Sequence, residues 1–257
     1  MTVRCRQFIR KITTVFAILL LTNAFASAPV LAEKQKAGPM DAKAMQILQD
    51  MSDYLAGAKT LSFRARTLFD EVRESGIKVK SASTIQVVMQ RPSSFRVLTI
   101  TDSGAARSSW FDGSKLIVLM RDTNQFMELD YKGTIDGLLD ELIDKHDFQL
   151  PLADLVYSDI AKNFKENLVS AEYLGIKLVN GIKCHHLSFE SAGVDWQIWV
   201  QADATPVPRR FAISYVNDAE KPEFLASLSR WSIDGKAVDD QFKASIPESA
   251  KKVPFGK

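Results

Sequence analysis

The chain has 257 residues and a formal charge of +2, but four basic residues and no acidic ones fall within its first 32, so the remainder carries −2 (+2 minus 4). That near-balance removes any electrostatic case for a nucleic-acid partner. Cys5 lies in the same leading stretch; without it Cys184 stands alone, which excludes an internal disulfide and leaves the apolar core to hold the remaining 225 residues (257 minus 32) together.

The leading stretch has the pattern of an export signal. Arg4, Arg6, Arg10 and Lys11 precede an apolar run over residues 15–21, and Ala26-Ser27-Ala28 and Val30-Leu31-Ala32 are both small-residue cleavage candidates. Cleavage after Ala32 is expected, with an uncleaved anchor as the alternative. The run is shorter than the roughly 20 residues a spanning helix needs. The mature chain is therefore expected to be exported, without a transmembrane span. Residues 33–40 are expected as a disordered leader.

Asp41 is placed to cap a helix over 41–58, because Ala44, Ile47, Leu48, Met51, Tyr54 and Leu55 fall on one face. Strands are expected over 60–72, 78–90, 95–101, 107–111, 115–120 and 124–130, with Asp112-Gly113 a strong hairpin turn. The period then changes. Ile135, Leu138, Leu139, Leu142 and Ile143 form a helical stripe behind a Thr134 cap, and Asp136, Asp140, Glu141 and Asp144 form the opposite, solvated face. Pro151 is expected to open a second helix with Leu152, Leu155 and Val156 inward; Ile160, Phe164 and Leu168 suggest a third. Strands return over 169–179, 182–190, 194–201, 209–216, 224–233 and 236–242, with Asn180-Gly181 and Asp234-Gly235 as hairpin turns. Residues 246–257 read as a tail.

Strands joined by short turns pair antiparallel, since parallel neighbours need long crossovers. A sheet of about 10–11 such strands must curl and have its apolar face covered. The expected fold is mainly β with helices. It is a single curved antiparallel sheet or incomplete β-barrel, in one domain over 41–245, with helices 41–58 and 134–168 on the concave face.

Motifs that carry chemistry are missing. There is no phosphate-binding glycine pattern, GxSxG elbow, HExxH, CxxC or EF-hand spacing, so no catalytic, metal or cofactor residues are assigned. Cys184-His185-His186 is the one cluster of ligating side chains. Neighbours on a strand point to opposite faces, so His185 and His186 do not share a metal, and no third ligand accompanies Cys184 and His186. A buried thiol beside half-exposed histidines is the preferred reading, and a Cys/His-dependent enzyme is the remote alternative. Trp196, Ile198 and Val200 share one strand face; Trp199 shares the other with Asp195 and Gln197, as core packing does not require. Residues 115–120 are apolar on both faces, which supports a cavity on one side.

Asp112-Gly113-Ser114-Lys115-Leu116 entering a strand, the helical insertion after the next strand, and Trp196-Gln197-Ile198-Trp199-Val200 followed by Arg209-Arg210-Phe211 resemble the outer-membrane lipoprotein carriers of the LolA-like fold. A closer resemblance is to a group of predicted periplasmic proteins of unknown function in that clan. It is carried by Trp110-Phe111-Asp112-Gly113, Thr134-Ile135-Asp136, Pro151-Leu152-Ala153-Asp154-Leu155, Cys184-His185-His186-Leu187, Asp195-Trp196-Gln197-Ile198-Trp199 and Pro208-Arg209-Arg210. The resemblance implies an incomplete barrel with helices across its mouth and an apolar space that, in the carriers, takes up lipid acyl chains. The chain is accordingly expected to be a soluble periplasmic binding or carrier protein for an apolar ligand, a lipid acyl chain or a lipidated protein, with a periplasmic or membrane-associated protein as a further partner class. Its expected apolar lining is Phe63, Phe69, Met120, Leu138, Leu142, Trp196, Ile198, Phe211 and Tyr215. The alternative is a non-catalytic interaction scaffold with a filled core.

Overall fold

The computed structural model describes residues 38–146, 152–165, 168–235 and 239–255. The expected export segment, the leader as far as residue 37 and Pro151 lie outside the described residues.

Helix α1 spans Ala42–Gly57, and the Asp41 carboxylate accepts from the amides of Lys43 (2.8 Å) and Ala44 (3.1 Å), which satisfies two of the free donors at its start. Ala44, Leu48, Met51 and Leu55 are buried, as their spacing requires. An antiparallel meander follows: β1 (Thr60–Val72), β2 (Lys78–Gln90), β3 (Ser94–Thr101), β4 (Ala106–Phe111), β5 (Lys115–Met120) and β6 (Gln125–Asp130). Helix α2 (Ile135–Asp144), a 3-10 turn (Ala153–Leu155) and helix α3 (Ile160–Lys165) precede a second meander of β7 (Leu168–Val179), β8 (Ile182–Ser191), β9 (Val194–Gln201), β10 (Pro208–Ser214) and β11 (Glu223–Ile233).

All of these strands belong to one open sheet of twelve, ordered β12-β6-β5-β4-β3-β2-β1-β11-β10-β9-β8-β7, where β12 is Lys251–Lys252. The two meanders are joined back to back. One runs outward from β1, the other inward from β7, and β11 closes on β1 in antiparallel register from Leu61↔Ile233 to Phe69↔Phe224. Because β6 and β7 stand near opposite edges, the segment between them must cross the sheet. That crossing places α2 and α3 on the concave face.

Three local outcomes differ from the expectations. The described part of the strand expected over 236–242 is a 3-10 turn, Asp239–Phe242, and 236–238 lie outside the described residues. The reason is that both edges of β11 are already taken, by β10 and β1, so a hairpin partner has nothing to pair with. Asp234 instead accepts from the Lys59 amide at 2.7 Å and donates its own amide to the Thr60 carbonyl at 2.8 Å. The helix expected from Pro151 shrinks to the 3-10 turn, preceded by Leu152 in the left-handed region (φ 67°), a conformation that cannot start a helix. The stretch after residue 246 returns to the sheet: Lys251–Lys252 pairs in parallel with Gln125 and Phe126, and the Phe255 ring sits edge-on to His146 at 5.0 Å.

The two arms are filled differently. Under α1 and α3, Phe164 stacks on Trp196 (4.6 Å), Trp196 on Phe189 (4.0 Å), and Phe211 closes the group at 5.7 Å from Phe164. The Trp196 indole N–H donates to Ser191 Oγ at 3.1 Å, so the cluster buries no unpaired donor there. Ala161 N donates to the buried Ser52 hydroxyl at 2.9 Å, which ties α3 to α1. A bulge at Arg230 (φ 55°) reverses the parity of β11, so Trp231 joins Phe224, Ala226 and Leu228 on the inner face and stacks on Phe63 at 4.6 Å. The arm under α2 is not filled.

Candidate functional site: a graded cavity under helix α2

A cavity of about 530 Å³ lies between the first meander and α2. Its floor follows from strand register. Side chains two apart share a face, and in-register partners continue that face across the sheet. One row is wholly apolar, with Met89, Phe95 and Leu116 in the wall and Phe111 between the last two. The next is Phe63, Val87, Val97, Ser109 and Val118, then Ile85, Thr99 and Arg107, then Thr67, Ser83 and Thr101, and finally Phe69 and Ser81. Polarity therefore rises from the first of these rows to the fourth, and the last joins Ser81 to the apolar pair Phe69 and Phe224. Exposure rises with it along β2, β3 and β4, where Met89 and Phe95 are buried, Ser83 and Thr101 half-buried, and Arg107 exposed, while Thr67 and Phe224 beside them stay buried. The polar end is the mouth.

Ile135, Leu139 and Leu142 of α2, with Leu152, Ala153 and Val156, form the roof. The roof is fastened at the apolar end. Ile135 N donates to the Pro92 carbonyl at 2.8 Å. Arg91 donates through its two terminal nitrogens to the carbonyls of Val156 (3.2 Å) and Tyr157 (3.0 Å). Burial lowers the Arg91 pKa, and the nearby Asp136 charge opposes that shift. Asp136 also accepts from Ser158 N at 3.1 Å, and Asp140 from the Tyr157 hydroxyl at 2.9 Å. Two carboxylates of the face expected to be solvated thus hold the roof to α2.

Phe63, Phe69 and Leu142 stand in the cavity wall. Met120 lies beside Arg107 in the sheet but outside the wall, and Leu138 is fully buried on α2, also outside it. Trp196, Ile198 and Phe211 belong to the packed arm. Tyr215 is buried edge-to-face against Phe69 at 6.3 Å. The apolar wall residues not singled out from the sequence include Ile85, Val87, Phe95, Val97, Leu116 and Val118. Their signal was the alternation within 78–90, 95–101 and 115–120, which marks a face but not a gap above it.

Cys184, His185 and His186 each have separate surroundings. His185 Nδ1 is 3.0 Å from the Tyr173 hydroxyl, and His186 Nε2 is 2.9 Å from Gln197 Oε1. Burial raises the Cys184 thiol, against the lowering effect of Arg209 and Arg210, and burial lowers both histidines. Among the described residues no three of His, Cys, Asp and Glu gather closely enough to hold a metal ion. Trp199, on the convex face, stacks on His186 at 4.1 Å, with the Arg210 guanidinium 5.5 Å from its ring centre. No described helix is long and apolar enough to cross a membrane.

Residues 44–256 match the model of the family described as predicted periplasmic protein (DUF2092), and the chain belongs to that family. A search of curated proteins finds no match. Among solved structures, the chain is similar to an uncharacterized conserved protein from Thermus thermophilus, at 13% identity and a TM-score of 0.48, covering 82% of this chain and 99% of that one. It is also similar to the lipoprotein LppX of Mycobacterium tuberculosis (13% identity, TM-score 0.45, 74% and 96% covered). A LolA superfamily protein from Nitrosomonas europaea is a third (11% identity, TM-score 0.35, 78% and 97% covered).

Proposed function

We propose that this member of a predicted periplasmic family binds or carries one apolar chain, held between β1–β5 and α2. The observation that carries the reading is the cavity itself, about 530 Å³ with an apolar inner end, beside an arm whose interior is packed. The volume falls within the roughly 300–1,000 Å³ usual for a single small ligand. If a methylene takes up the ~30 Å³ of a water molecule, the space holds on the order of fifteen to eighteen. Each methylene transferred from water contributes about 0.8 kcal/mol, so a chain of about ten contributes about 8 kcal/mol before the cost of association is subtracted. The seat is preformed, which keeps that cost low.

The lining of this seat differs from the one expected from the sequence. Phe63, Phe69 and Leu142 keep their places in it, and the chain runs over Val87, Val97 and Val118. No step of bond making is assigned to any residue.

Displacement of a fluorescent fatty acid from the mature protein is the direct test, with Val97→Trp as the blocked variant. Wild type is expected to bind in the micromolar range or tighter, and the indole, projecting into the space, to weaken binding at least tenfold while the protein stays folded. Unchanged affinity in a folded Val97→Trp protein would refute this seat. No binding by wild type would favour the non-catalytic interaction scaffold, with His186, Trp199 and Arg210 on the convex face as its contact surface for a protein partner.

A further inference from the structure

Resting on the acyl-chain reading above, we propose that the cavity takes single-chain amphiphiles tail first, with Arg107 at the rim receiving an anionic head group, a carboxylate or a phosphate. The direction follows from the strand register. At the inner end, Met89, Phe95 and Leu116 present no polar atom to a head group, and a charge buried there without a partner costs several kcal/mol. Toward the mouth the same strands present Thr99 and Ser83, whose hydroxyls can donate to an oxyanion, beside Thr67 and Thr101, whose hydroxyls already donate to the carbonyls of Ser83 and Ala105.

Arg107 is the one cation among the described residues that line the cavity. It is in register with Thr99 on one side and Met120 on the other, on the inner face of β4. Arg107 is exposed, but partial desolvation beside the cavity wall lowers its pKa, and no carboxylate among the described residues acts against that shift. Asp122 is the one carboxylate among the described wall residues and is exposed, yet it forms no ion pair with Arg107. A guanidinium held at a cavity mouth with no anion beside it among the described residues keeps its planar fork for a ligand, and that fork suits two oxygens of a carboxylate or phosphate. Two other cations near this arm are already used: Arg91 fastens the roof, and Lys80 pairs with Asp70 at 2.7 Å.

The test is competition against a fluorescent fatty acid by hexadecanoate, hexadecanol and a single-chain lysophosphatidate, below their micelle concentrations, on wild type, Arg107→Gln and Arg107→Lys. Wild type is expected to bind hexadecanoate or the lysophosphatidate about tenfold more tightly than the alcohol, and the larger of the two gains identifies the head group. Arg107→Gln is expected to erase the difference while keeping the affinity for the alcohol; Arg107→Lys is expected to keep part of it. Raising the ionic strength should narrow the gap, since the rim is open to solvent. Equal binding of acid and alcohol by wild type, or a preference that survives in Arg107→Gln, overturns the assignment of Arg107 and leaves the acyl-chain reading standing. Failure of wild type to bind any of the three overturns both. Arg107 is exposed, so thermal unfolding of the Gln variant should match wild type and confirm that a loss is not misfolding.

Discussion

Asp70, at 2% exposure, is the one charged residue buried among the described residues. It points away from Phe69 onto the convex face, where the Lys80 ammonium lies 2.7 Å away, that of Lys78 lies 3.7 Å away, and the Glu223 amide donates to it at 3.0 Å. Burial pushes its pKa up, but the bond to Lys80, the Glu223 amide and the lysine charges together outweigh burial, and the carboxyl ends below its ordinary value. A carboxylate whose pKa is lower in the folded state contributes stability that is present above its unfolded pKa, about 3.9, and is lost as pH falls through the folded value. Asp70→Asn is therefore expected to cost about 1–2 kcal/mol at pH 7, a figure kept small because both lysines are half exposed. Urea denaturation at pH 7 and pH 3 checks it: the gap between variant and wild type should shrink at the lower pH, and a gap that widens would contradict the sign.

At the scale of elements, helices α1, α2 and α3 do two different jobs on one sheet. Helices α1 and α3 seal the second meander with aromatic stacking, and Phe164 at 0% exposure is the centre of that seal. Removing its ring leaves a void that Trp196 and Phe211 cannot close, so Phe164→Ala is expected to cost about 3–5 kcal/mol. Fatty-acid affinity should stay within about threefold of wild type, because Phe164 does not line the cavity. Helix α2 does the other job. Its fastenings gather at the apolar end, through Ile135 N to Pro92 and Arg91 to residues 156 and 157, and it leaves the polar end of the floor uncovered. A denaturation cost below about 1 kcal/mol for Phe164→Ala, or loss of ligand binding with the fold intact, would show that the arms are not independent in this way.

At the scale of the molecule, the sheet is open, so its edges must be managed. On the β6 side the chain does this with its own last residues. Lys251 N donates to Asn124 O at 3.0 Å, Val253 N donates to Phe126 O at 2.8 Å, and Lys252 pairs with Glu128. Deleting residues 247–257 uncovers a row of backbone donors and acceptors on β6. The shortened protein is expected to remain folded but to associate as concentration rises, which sedimentation velocity would detect. A strictly monomeric truncation would mean that β6 needs no cover. Asn124, with φ 49° and a side chain bonded to Ser249, is the joint on which this return depends.

Local chemistry was enough to place most of the elements. Asp41 and Thr134 lie next to apolar stripes and cap their helices, Asp112-Gly113 and Asn180-Gly181 turn hairpins, and alternation marks the inner face of each strand. These features depend on residues a few positions apart, so the sequence alone determined them. The sequence also determined that the sheet is antiparallel and needs a helical cover. It did not reveal that β11 closes on β1, which is why Asp234-Gly235 looked like a hairpin turn and instead binds the start of β1. Nor did it reveal which arm stays hollow: Trp196, Ile198 and Phe211 look as suitable for a lining as Val87, Val97 and Val118. That difference is a volume, set by how far α2 and α3 stand from the floor, and no single segment carries it. Only the tertiary structure decided it, by putting Phe164 into one arm and leaving the other open toward Arg107.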